Sequence, residues 1–97
     1  MSFQLRALLK LLSTEEGGRD TPLKGAFRPN HAFFGAAGPM HIGQVKPDSE
    51  DLIVPGTEFM CHVDFLTAID PPIALGATWE IYEGRRLIGS ARAISLL

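Results

Sequence analysis

The chain has 97 residues, of which 45% are apolar and 21% charged, enough for one globular core and too ordered in composition for a disordered tail. A net charge of −2 excludes a general polyanion trap, so any nucleic-acid contact needs a local basic patch. One cysteine excludes an internal disulfide and fits a reducing compartment.

In chain order, residues 3–12 are ambiguous. Phe3, Leu5, Ala7, Leu9 and Leu11 alternate with polar Gln4, Arg6 and Lys10, as a strand would. Leu5, Leu8, Leu9 and Leu12 also form a helical stripe, and the Leu and Ala content tilts the residue-level reading to helix. Lys10 interrupts the apolar run, and Glu15-Glu16 stands where a leader cleavage site would be, so neither a signal peptide nor a membrane span is expected. A cytoplasmic protein is the expectation.

Glu15-Glu16-Gly17-Gly18-Arg19-Asp20-Thr21-Pro22 cannot be the middle of a helix or strand and reads as a shaped connection. A strand restarts beyond Arg28-Pro29, with Asn30 to Phe34 as a short candidate ended by Gly35-Ala36-Ala37-Gly38-Pro39. Ile42 to Val45 is another, closed by a polar loop from Lys46 to Asp51. Pro55-Gly56 suits the central positions of a type II turn.

Thr57 to Leu66 is the clearest strand: Thr57, Phe59, Cys61, Val63 and Phe65 share one face and Glu58, Met60, His62 and Asp64 the other. Asp70-Pro71-Pro72 breaks the pattern. Trp79 and Ile81 then face inward with Glu80 and Tyr82 outward, up to a turn around Glu83-Gly84-Arg85. Arg86 to Leu97 is the last strand, in which Gly89 marks a bulge or a close backbone approach. Short strands between Gly and Pro turns predict one all-β domain over residues 1–97, an antiparallel barrel or sandwich.

Several of these stretches share a resemblance. Glu15-Glu16-Gly17-Gly18-Arg19-Asp20-Thr21-Pro22 with Arg28-Pro29, Val54-Pro55-Gly56, Val63-Asp64-Phe65-Leu66, Pro72-Ile73-Ala74-Leu75 and Ile81-Tyr82-Glu83-Gly84-Arg85-Arg86-Leu87-Ile88-Gly89 lie in the order found in the C-terminal barrel domain (domain 3) of translation elongation factor Tu, which this chain resembles from Leu5 onward. The resemblance implies a six-stranded antiparallel closed barrel and makes residues 3–12 its first strand. In that family the barrel contacts the T arm of aminoacyl-tRNA, a nucleotide-exchange factor and the GTP-binding domain. By position, Arg19, Asn30, Glu83 and Gly84 are the implied RNA-binding candidates, with Arg85 added where the family has glycine. Asp20 stands in place of histidine, Asn30 in place of glutamine and Tyr82 in place of arginine. Residues 35–42 exceed the family's loop, and residues 67–76 are rearranged around a proline pair.

No Gly-x-x-x-x-Gly-Lys-Ser/Thr loop occurs, so no nucleotide is expected to bind or be hydrolysed. Cys61 and His62 are adjacent on a strand and point to opposite faces, which prevents them from pairing and leaves Cys61 as a core residue. His31, His41 and His62 lack metal-ligand spacing and are expected to be ordinary exposed histidines. Glu50-Asp51 reads as a solvated turn, while Glu15-Glu16 has either a structural duty in its loop or a contact role. Arg19, Lys24, Arg28, Arg85, Arg86 and Arg92 either gather into a basic patch or lie scattered, according to how the chain folds. The expectation is a non-catalytic, translation-factor-like binding module that contacts tRNA/RNA weakly or a translation-related protein, with no enzyme activity, cofactor, metal or membrane partner. The alternative is a structural, protein-interaction barrel that has lost RNA binding.

Overall fold

The computed structural model describes residues 3–35, 37–66, 69 and 73–97. Six strands, β1 (Phe3–Leu11), β2 (Asn30–Ala32), β3 (His41–Pro47), β4 (Glu58–Phe65), β5 (Thr78–Glu83) and β6 (Arg86–Leu96), form a closed barrel in the order β1-β4-β3-β2-β5-β6. Every neighbouring pair is antiparallel, and β6 returns to β1 to close the sheet. The all-β, six-stranded closed barrel expected from the sequence is the observed architecture.

β1 shows why its helical stripe is overruled. It pairs along its length with β4 on one side and β6 on the other, so its backbone groups are satisfied between strands. Leu5, Ala7, Leu9 and Leu11 then alternate into the core. The other walls contribute Val45, Cys61, Val63, Phe65, Trp79, Ile81, Ile88, Ala91 and Ala93. Phe59, expected among them, is only partly buried and packs against the core from its margin.

Strand limits differ from the sequence reading by more than one residue in two places. β3 runs on through Lys46 and Pro47, which pair with His62 and Cys61; proline is tolerated there because it ends the strand. β2 stops at Ala32, before Phe33 and Phe34. The proposed break at Asp70-Pro71-Pro72 lies outside the described residues, as does the first residue of the Pro72 to Leu75 stretch.

The turns follow their residue types. Gly56 has φ of 91°, and Thr57 N–H donates to Val54 O at 3.2 Å, closing the type II turn. Gly84 has φ of 58° while no non-glycine described residue has positive φ, so Gly84-Arg85 forms the tight β5–β6 connection with glycine first.

Gly89 is a point of close approach and sits beside a bulge. Ile81 pairs with Gly89 but Tyr82 with Leu87, leaving Ile88 as the extra residue on β6. A Cβ at Gly89 would lie 2.3 Å from Lys10 O on β1. The three nearest atoms, Lys10 O and C and Leu11 Cα, are all backbone, so Gly89→Ala is expected to lower stability by about 1–3 kcal/mol, as overpacking does. An unchanged urea midpoint would show that the β1–β6 seam can open without loss.

Tyr82, expected outward with Glu80, lies beside this bulge. Ile81 enters the core, whereas Tyr82 is covered on the opposite face. The Tyr82 hydroxyl donates to Glu80 Oε1 at 3.1 Å, and its ring is covered without joining the central core.

Candidate functional site

The connection after β1 is built from its own side chains. Ser13 and Glu16 cap each other: Ser13 N–H donates to Glu16 Oε1 at 3.0 Å, and Glu16 N–H donates to Ser13 Oγ at 3.1 Å. The Ser13 backbone N–H, then its hydroxyl, hold the Glu16 carboxyl below the usual carboxylate range. Gly17 has φ of 94°, and a Cβ on Gly18 would lie 2.6 Å from Leu12 O. The glycine pair thus supplies one left-handed position and one close approach. Glu16 has the structural duty weighed for it above.

This loop lies beside the β5–β6 hairpin. Leu12 N–H donates to Ile88 O at 2.8 Å and Arg86 Nη1 reaches Gly18 O at 3.5 Å. Arg19, reaching from the loop, donates through Nη1 to Glu83 Oε2 in an ion pair. Its Nε and Nη2 are bound 3.2 Å from Thr21 O and Oγ1. Arg86 Nη1 also stands 3.7 Å from Asp20 Oδ2.

Of the five RNA-binding candidates, Arg19 and Glu83 are joined directly, and Gly84 and Arg85 form the adjacent turn. Asn30 is set back, on β2 between Tyr82 of β5 and Ile42 of β3. The six basic residues split into groups. Arg19, Arg85 and Arg86 gather here, whereas Lys24 lines a cleft with Lys46, Glu50 and Asp51, Arg28 lies beside β3 and β4, and Arg92 is exposed on β6 opposite Leu8 and Thr78. The gathered site holds three arginines and the two acids Asp20 and Glu83. Arg85 is exposed at the turn and enters none of the ion pairs of the described residues.

Two other chemistry-bearing groups are internal. Cys61 is buried, its thiol pushed up to about 12 chiefly by burial, and it packs as a core residue. His31 corrects the expectation of exposure: it is fully buried. Trp79 Nε1–H donates to its Nδ1 at 3.0 Å, which places the ring proton on Nε2, 3.1 Å from Gly43 O. Alternation could not find this, because His31 and Ala32 are both covered in a three-residue strand. His41 and His62 are half-buried. Among the described residues no group of three or more His, Cys, Asp or Glu is placed to hold a metal ion, and no helix is long and apolar enough to cross a membrane.

No protein-family model matches the chain.

Proposed function

We propose that the chain is a non-catalytic, translation-factor-like binding module that contacts RNA with the loop around Arg19 and the hairpin around Arg85. One observation carries the reading: the two stretches that most resemble elongation factor Tu domain 3 meet on one surface, linked by the Arg19–Glu83 ion pair. Arg85 at the turn and the half-exposed Arg86 supply cations that a phosphate backbone can reach.

A second reading, a protein-docking barrel without RNA contact, is favoured by a different fact. Arg19 is mostly shielded and already bound to Glu83, and Asp20 stands beside Arg86, so much of the positive charge is neutralised within the site. Titrating fluorescent tRNA at two salt concentrations separates the two. RNA binding in the non-specific range, with Kd of roughly 10⁻⁴–10⁻⁶ M and falling affinity as salt rises, supports the first. Arg85→Ala is then expected to reduce the salt slope by about one. Absence of binding at low salt overturns it and leaves protein docking.

A further inference from the structure

The loop after β1 and the β5–β6 turn are tied together by three consecutive residues, with Arg19 at the centre. Thr14 Oγ1–H donates to the Arg19 backbone O at 2.7 Å, which fixes the incoming arm of the loop. Arg19 Nε and Nη2, 3.2 Å from Thr21 O and Oγ1, fix the outgoing arm, and Nη1 is bound to Glu83 Oε2. All three guanidinium nitrogens therefore have partners inside the fold, and the side chain is only 19% exposed. Glu83 and Arg86 face each other across the base of the turn, with Gly84 and Arg85 between them. Gly18 O lies 3.5 Å and Asp20 Oδ2 3.7 Å from Arg86 Nη1. Residues 18–20 thus grip both flanks of the turn. The turn has little anchorage of its own, since Gly84 carries no side chain and Arg85 enters none of the ion pairs of the described residues.

We propose that Arg19 is a positioning residue for the RNA contact proposed above, a role that rests on that reading, and that Arg85 is the residue that meets phosphate. A planar fork with three fixed partners acts as a strut. Turning it to a phosphate would release Glu83 and both atoms of Thr21, and the freed Glu83 carboxylate would face the phosphate with its own negative charge. Arg85 carries no such commitment: its exposed guanidinium can meet a phosphate without breaking any ion pair of the described residues. Holding the turn in one geometry before binding lowers the ordering cost of that contact.

Salt titration of tRNA binding and ¹⁵N relaxation of the free protein test the role together. The double variant Arg19→Gln/Glu83→Gln removes one charge of each sign, so net charge is kept while the clasp is lost. Its salt slope is expected to equal that of wild type, because no phosphate contact has gone, whereas the slope of Arg85→Ala falls by about one. Without RNA, its backbone order parameters at Gly84 and Arg85 are expected to drop from the rigid value of about 0.85 towards about 0.6. Glu83→Gln alone decides the matter if the double variant fails to fold: the turn is expected to loosen in the same way, with the slope unchanged although Arg19 Nη1 has been freed. A slope that falls by about one in the double variant, or rises by about one in Glu83→Gln, would make Arg19 a phosphate contact. Order parameters equal to those of wild type would show that the turn needs no clasp. Either result overturns the positioning role and leaves RNA binding standing. A wild-type chain that fails to bind tRNA at low salt overturns the RNA reading itself, and this role with it.

Discussion

Trp79→Ala is expected to lower stability by about 3–5 kcal/mol, close to the whole margin of a domain this size. Trp79 is buried, with its ring 4.7 Å from that of Phe33, so truncation opens a cavity in the aromatic end of the core. It also removes the N–H that satisfies His31 Nδ1, and a buried acceptor without its partner costs about 1–3 kcal/mol. Trp79→Phe separates the two effects. It keeps a buried aromatic ring but loses the donor and part of the indole volume, so its loss should be smaller than that of Trp79→Ala and weighted towards the stranded imidazole nitrogen. Urea denaturation of the three proteins checks this: equal losses for Phe and Ala would show that packing contributes little, and an unchanged midpoint for Ala would contradict the burial itself.

The barrel was legible in the sequence where alternation is strict and the turns have distinctive chemistry. Phe59 to Phe65 and the Pro55-Gly56 turn needed only the period of a strand and the backbone habits of proline and glycine. β1 was not legible on the same terms, because leucine-rich segments satisfy both periods. What decides it is pairing on both edges with β4 and β6, a long-range fact that no local window contains. The resemblance, which carries such long-range information, gave the right element there.

The site divided in a similar way. The glycine pair announced a shaped loop, and the hairpin announced a tight turn, but their meeting depends on barrel closure. The Arg19–Glu83 pair spans 64 positions of sequence. Hence the residue list could name Arg19 and Glu83 as candidates without showing that each neutralises the other. His31 was misread for a related reason: its partners, Gly43 and Trp79, come from β3 and β5, on either side of β2. Gly43 makes room for it, since a Cβ there would lie 2.5 Å from Phe65 Cε1 and 3.0 Å from His31 Nε2.

His31 gives the second large effect, acid destabilisation between pH 6.5 and 4. Burial pushes its pKa from the ordinary imidazole value of 6.5 down to about 4, against the smaller opposing pull of Gly43 O. The geometry agrees, because protonating Nδ1 would set two N–H donors, His31 and Trp79, against each other. A group whose pKa is depressed in the fold stabilises it above the unfolded value of 6.5, and that contribution is lost as pH falls towards 4. The gap corresponds to a loss on the order of 3 kcal/mol. Glu16, held low by Ser13, and Asp48, held low by the Arg6 guanidinium, add their own losses only below the ordinary carboxylate values of 4.5 and 3.8. His31→Gln isolates the imidazole, since its amide can accept from Trp79 and donate to Gly43 without titrating. Its stability at pH 7 is expected to be somewhat lower than wild type, with a flatter profile from pH 6.5 to 4. Urea midpoints across that window decide the assignment: a wild-type profile as flat as that of His31→Gln would mean that the buried ring accepts a proton without cost.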